Sequence, residues 1–332
     1  MNSPIDIVIP WVDGSDPNWI QVHNQYTSDK LSDNHVSRYR AWDTFRYWFR
    51  AIEENAPWVR KIHFLTFGHY PQWLNIHHEK IHLVKHEDFI PKEYLPTFSS
   101  HVIELNLHHI PDLADHFIYF NDDVYLNLPC QPKDFFDNGL PKDAAVLGVI
   151  KNNLRENFMP YIMLNMMALI NEKFAKKEVI SKHRSKWLNF KYGHLLLNNL
   201  YLLPFSCFTG FRNFHSVISY NKKTFEEVWQ TYSEDLKQTC EHRFRNKADV
   251  NQYLFRYWQL VSGEFSPMKP SSDYFTIGHQ NSGTIQEAIL KPRKRVICVN
   301  DDPGDFDMDL EQKFIDGAFQ KRYPNPSSFE IR

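Results

Sequence analysis

The chain has 332 residues and carries 38 Lys and Arg against 40 Asp and Glu, so it lacks the basic excess that nucleic-acid binding leaves on a sequence. Nine Trp, 16 Tyr and 26 Phe against only 11 Gly exclude a disordered chain and describe a packed globular one, long enough for two domains or one large α/β unit with insertions. The four cysteines, Cys130, Cys207, Cys240 and Cys298, are far apart and form no CxxC, which favours reduced core thiols in a cytosolic protein over a zinc site.

The first residues, MNSPIDIVIPWVDGSDP, have neither the basic start nor the apolar stretch of a signal peptide. IDIVIPWV (5–12) reads as a strand that runs into turn chemistry at DGSDP. DTFRYWFRAIEENAPWV (43–59) places Phe45, Trp48, Phe49 and Ile52 on one helical stripe, with Pro57 just past its end. KIHFLTFG (61–68) and KIHLVKHEDF (80–89) read as the second and third strands, and ELNLHHIPDL (104–113) as helical at its start. HFIYFNDDVYL (116–126) reads as the fourth strand and AAVLGVI (144–150) as another.

Residues 151–213 differ in character: a basic, Asn-rich stretch with a Met-rich run, read as a helical insertion. Inside it GHLLLNNLYLLPF (193–205) admits two readings, a buried segment or a peripheral contact with a membrane; no segment reaches the ~18 apolar residues of a membrane helix. KKTFEEVWQTY (222–232), DVNQYLFRYWQLVSG (249–263), closed by Gly263, and DLEQKFIDGAFQKRY (309–323) read as helices, and RVICVNDD (295–302) as a late strand. Strands alternating with helices predict an α/β fold, a mostly parallel central sheet flanked by helices in a Rossmann-like or GT-A-like manner. Residues 1–150 and 214–332 would form one catalytic domain around the insertion. Ligands collect at the carboxyl ends of such strands, so DGSD, NDD and the second NDD are expected on one edge.

That edge is rich in carboxylates. Asp13 and Asp16 flank Gly14; Asp122 and Asp123 follow Asn121; Asp301 and Asp302 follow Asn300. Acids so placed either cap turns and helices or hold Mg²⁺ or Mn²⁺ against a diphosphate. The segment DDPGDFDMDLEQ (301–312) has Gly fourth and Gln twelfth, so it fails as a calcium loop. His215, after a Gly/Arg/Asn turn, is a candidate base. Arg243 and Arg245 precede a helix, where a guanidinium and a helix start both favour phosphate. No GxxxxGK[ST], GxGxxG or GxSxG occurs, which disfavours a simple kinase, a nicotinamide enzyme and a serine hydrolase of that type.

In their order these segments resemble the Stealth family of sugar-phosphate transferases, which includes bacterial capsular polysaccharide phosphotransferases. The resemblance rests on IDIVIPWVDGSDPNW (5–19), on the run from RYRAWDTFRYWFRAIEENAPWVRKIHFLTFGHYPQWLN (38–75) through LPTFSSHVIE (95–104) to FIYFNDDVYL (117–126), on 214–260, and on 295–330. It implies transfer of a hexose 1-phosphate from a UDP-sugar to a hydroxyl of an acceptor glycan, with release of UMP. Carried over by position, it implies catalytic roles for Asp123, His215, Arg245 and Asp301, with Asp123 and Asp301 holding Mg²⁺ or Mn²⁺. It implies substrate contacts from Trp11, Asp13, Gly14, Asp16, Glu104, Asn121, Asp122, Asp249 and Asn300, and His215 as either base or nucleophile. Val217 and Pro10 replace the Pro and Thr common in the family. The expected partners are a nucleotide sugar and a lipid-linked glycan at the cytoplasmic face of a membrane. Two alternatives stay open: a metal-dependent glycosyltransferase releasing UDP, and a non-catalytic glycan-binding assembly protein.

Overall fold

The computed structural model describes residues 3–27, 39, 44–278, 282–300 and 308–331. Its strands are β1 (Ile5–Pro10), β2 (Ile62–Thr66), β3 (Ile81–Lys85), β4 (His116–Tyr119), β5 (Val124–Leu126), β6 (Phe136–Asp137), β7 (Leu140–Asp143), β8 (Ile218–Asn221), β9 (Ser266–Pro267), β10 (Ser272–Thr276) and β11 (Val296–Asn300). Its helices are α1 (Pro17–His23), α2 (Phe45–Asn55), α3 (Ser100–Leu105), α4 (Met159–Lys173), α5 (Lys176–Lys182), α6 (Arg184–Trp187), α7 (Leu196–Leu202), α8 (Lys222–Thr231), α9 (Ser233–Cys240), α10 (Tyr253–Ser262), α11 (Ser282–Leu290) and α12 (Met308–Arg322).

The main sheet has the order β3-β2-β1-β4-β8, parallel except for the antiparallel edge strand β8. Successive residues of a strand face opposite sides, and both sides are covered. Val8, Phe117 and Tyr119 join one core cluster with α8, α10 and the helices of 151–213. Ile7, Ile9, Ile118 and Phe120 join another with α2, α11 and α12. The α2 stripe of Phe45, Trp48, Phe49 and Ile52 is buried, as its spacing predicts, and Gly263 closes α10 in the left-handed conformation with φ 78°. The α/β class and the mostly parallel sheet are therefore observed. None of the described helices is long and apolar enough to cross a membrane.

Three expectations need correction. Residues 116–126 are two strands, not one: β4 stays in the main sheet, and β5 pairs antiparallel with β11 in a second sheet of order β10-β11-β5. Asn121–Asp123 is thus the crossover between sheets. Residues 144–150 form no strand. Their backbone bonds go to the Asn199 side chain, which accepts from Leu147 N–H at 2.6 Å and donates to the Ala145 carbonyl at 2.8 Å, and to the 209–212 backbone. Finally, Cys207 is exposed, whereas Cys130, Cys240 and Cys298 are buried; all four are free thiols.

Candidate functional site

The crossover explains why apolar chain runs straight into acids. Phe120 N–H still bonds to Val8, at 3.0 Å, and Val124 N–H closes the turn on the Asn121 carbonyl at 3.1 Å. Asn121 and Asp122 are exposed there, and Asp123 is half-buried. The Cys298 thiol donates to Asp123 Oδ2 at 3.2 Å, while Asp123 Oδ1 is buried with no hydrogen-bond partner. Burial raises the Asp123 pKa to about 6. The Asp122 pKa is raised to about 7, by desolvation first and by the Asp123 charge next; nearby Arg245 opposes the shift. Two adjacent acids that both hold protons tightly, one with an unsatisfied oxygen, form a pair that added positive charge would relieve.

Register brings the rest of the site to this pair. Tyr274 of β10, Cys298 of β11 and Val124 of β5 stand side by side, and residues so paired share a sheet face. His215 stacks on Tyr274, ring centres 4.4 Å apart. Tyr274 itself stands two strand spacings, roughly 10 Å, from Val124. His215 holds φ at +41°, a left-handed backbone rarely adopted by a non-glycine residue and enriched at functional sites. The ring is packed on one side and exposed on the other, and desolvation lowers its pKa, which favours the neutral imidazole that can accept a proton. It lines a pocket with Lys142, Tyr253, Arg256 and Ser272. Arg256, nearly fully buried, fixes the approach to His215: it forks onto Asp143 at 2.7 and 2.9 Å and donates to Asn213 Oδ1 at 2.9 Å.

Helix α3 organises the surroundings of Arg245. Arg245 Nη2 donates to Ser100 Oγ at 2.8 Å. One turn of the same helix carries His101, whose Nδ1 bonds Asp249 Oδ2 at 2.8 Å. The Asp249 carboxylate also binds His242 at 2.6 Å and the Asn246 N–H at 2.8 Å, so it ties down the loop that presents Arg245. These bonds outweigh desolvation and hold its pKa low. Asp249 is fully buried, so the structure makes it a positioning residue and not the substrate contact expected from the sequence. Glu104 is likewise internal. It accepts from Tyr119 Oη at 3.2 Å and from the Gln252 N–H at 3.3 Å, where an acid favours the start of α10. Arg243 points elsewhere, to the Pro96 carbonyl at 2.6 Å and the Tyr26 ring.

The DGSD turn follows β1, next to β4. Asp13 Oδ1 accepts from Ser15 N–H at 2.9 Å and Oγ at 2.7 Å, and Asp13 N–H donates to His69 at 2.9 Å. Asp16 caps α1 through the Trp19 N–H at 2.8 Å. Gly14 is required by close approach: a Cβ there would stand 2.7 Å from Tyr39. Trp11 differs from the expected pocket residue, since it is only 8% exposed and packs on Phe45 and Phe64. Asn300 ends β11 and its carbonyl accepts from Ile277 N–H at 3.0 Å, next to Val299, whose N–H bonds the Asp123 carbonyl at 2.9 Å. Asp301 lies outside the described residues, and among those described no three His, Cys, Asp or Glu side chains form a metal cluster. Tyr253, Tyr274, Cys298, Ser100 and His101 were not singled out from sequence as site residues; only the His215 pocket, pairing register and the α3 contacts place them here.

Three models of conserved regions of Stealth proteins match the chain: region 1 at residues 3–30, region 2 at 38–143 and region 3 at 215–258. The chain is 41% identical to the capsular polysaccharide phosphotransferase WcwK of Streptococcus pneumoniae over 98% of both. It is 39% identical to the exopolysaccharide phosphotransferase cps2G of Lactiplantibacillus plantarum, covering 98% of this chain and 96% of that one. It is 38% identical to the receptor polysaccharide phosphotransferase WefC of Streptococcus gordonii over the whole of both. Among solved structures, the galactosyltransferase LgtC with donor and acceptor sugar analogs aligns over 94% of this chain and 95% of that one, at 11% identity and a TM-score of 0.39, too loosely to argue from.

Proposed function

As this chain belongs to the Stealth family of phosphotransferases, we propose that it moves a hexose 1-phosphate, such as GlcNAc 1-phosphate, from a UDP-sugar to a hydroxyl of an acceptor glycan, in the cytoplasm, for capsular or other cell-surface polysaccharide. One observation carries the reading. A pair of proton-hungry acids with Arg245 near it lies where β4 ends and β5 begins, and a neutral histidine packs on β10 of the sheet that β5 joins.

His215 takes the proton of the acceptor hydroxyl as that oxygen bonds to the β-phosphorus. The bond from the β-phosphorus to the bridging oxygen breaks, and its electron pair leaves with UMP. Arg245, held on Ser100, stabilises charge on the transferring phosphoryl oxygens. Asn121 and Asn300 offer amides to the diphosphate, and the Asp13–Asp16 turn receives the nucleotide. The orphaned Asp123 Oδ1 and the raised pKa values suit a divalent cation, Mg²⁺ or Mn²⁺; Asp123 and Asp301 would hold it, and Asp122 adjoins Asp123. When bound, such an ion supplies positive charge against the donor's diphosphate.

A UDP-sugar radiolabelled in its β-phosphate tests the reaction. Phosphoryl transfer carries the label into the glycan, whereas a glycosyltransferase leaves it in the nucleotide. Label confined to the nucleotide during acceptor-dependent turnover refutes the proposal.

A further inference from the structure

Helix α7 inverts the usual patterning of a surface helix. Its sequence, LLNNLYL, has two polar residues, and Asn199 is turned inward, 1% exposed. The Asn199 amide donates to the Ala145 carbonyl at 2.8 Å and the Trp187 carbonyl at 2.6 Å, while its oxygen accepts from Leu147 N–H at 2.6 Å. Leu197, Leu200 and Tyr201, spaced i, i+3, i+4, share the opposite face. They are 54%, 46% and 78% exposed. Phe190, at 90%, and Phe205, at 53%, flank the helix. Six of the sixteen large apolar side chains that are exposed among the described residues fall in 190–205. Apolar side chains clustered on the outer face of a helix call for a covering surface, and here the core lies on the other side.

The segment that carries the patch is basic. Residues 171–205 hold seven Lys and Arg against two Glu, in a chain whose net charge is −2. Lys173, Lys177, Lys182, Arg184 and Lys191 are exposed. Buried Lys176 donates to the Leu202 and Phe205 carbonyls and fixes the end of the patch. We infer that α7 and its flanks dock the protein on an anionic lipid bilayer, the apolar side chains entering the interface and the lysines meeting lipid phosphates. Charge selects lipid over a second copy of this chain, whose identical basic segment would be repelled. Docking is argued from this surface alone and stands apart from the reaction proposed above.

Flotation of the full chain with phosphatidylcholine vesicles, with and without about one third phosphatidylglycerol, tests it. The protein should float with the anionic vesicles alone, and added salt should release it. Leu197→Asn with Tyr201→Asn should weaken binding on the order of tenfold or more, with an unchanged melting temperature, because neither side chain packs inside. Lys177→Glu with Lys182→Glu should weaken it too. Absence from anionic vesicles, or equal flotation of wild type and the double Asn variant, overturns the inference. So does sedimentation velocity that finds a wild-type dimer dispersed by the same substitutions, which would assign the face to self-association.

Discussion

At the scale of single residues the account rests on His215 and Asp123. His215→Ala should lower turnover about a hundredfold to ten-thousandfold, the usual contribution of a positioned base, with the fold intact by circular dichroism. Because burial holds the His215 pKa below its ordinary 6.5, the wild-type acid limb of kcat/KM assigned to this group should fall below that value and vanish from the residual rate of the variant. Asp123 behaves in the opposite sense. Its proton is held more tightly in the folded protein, at about 6, than in the free carboxyl at 3.8. The stability this group contributes is full below the free value and is lost as pH rises through 6, because the native state then gives up a proton it binds better than the unfolded chain does. Asp123→Asn removes that loss. The metal-free variant should melt about 1–3 °C above wild type at neutral pH and level with it near pH 4, while turnover collapses. A melting temperature lowered by the substitution at neutral pH would show that the Asp123 charge supports the fold and does not burden it.

At the scale of elements, short α3 holds three parts of the site: Ser100 takes Arg245, His101 takes Asp249, and Glu104 joins Tyr119 to the start of α10. This separates a framework acid from a reacting one. Glu104→Ala strands the Tyr119 hydroxyl and the Gln252 N–H in a buried place and should cost about 2–3 kcal/mol in urea unfolding. Glu104→Gln keeps an acceptor oxygen and should retain most of both stability and rate. A Gln variant that folds normally but is as slow as His215→Ala would return Glu104 to the chemistry. Such elements also show what the sequence concealed. The apolar runs of β1, β2 and β4 and the stripe of α2 were legible because burial on both faces of a parallel sheet writes itself as continuous hydrophobicity. AAVLGVI has the same composition yet is no strand, because the Asn199 side chain and 209–212 satisfy its backbone. β8 and β10, with the sequences ISYN and SDYFT, were missed because they lie at sheet edges and carry polar residues.

At the scale of the whole molecule the site is a junction. The main sheet ends in the DGSD turn and at β4, the second sheet begins at β5, and the chain between them supplies Asn121, Asp122 and Asp123. The acids were visible in sequence as unusual strand endings. The change of sheet was not, because apolar residues resume at Val124 directly after the three polar ones and read as the same strand continuing. Cys298 and Tyr274 were invisible as site residues for a related reason: each is an ordinary strand residue until register sets Cys298 beside Val124 and Tyr274 beside Cys298. Helices of 151–213 pack into the same core as α10, and Asn165 of α4 donates to the Lys247 and Asp249 carbonyls at 2.9 and 3.0 Å, so this segment braces the Arg245 loop. The central claim is that this junction transfers a sugar phosphate. The most direct test is the identity of the released nucleotide when the purified protein, Mg²⁺ or Mn²⁺, a panel of UDP-sugars and a mixed oligosaccharide acceptor are combined and separated by ion exchange. The account predicts acceptor-dependent UMP, lost in both Asp123→Ala and His215→Ala. Acceptor-dependent UDP, or UMP formed undiminished by either variant, would contradict it.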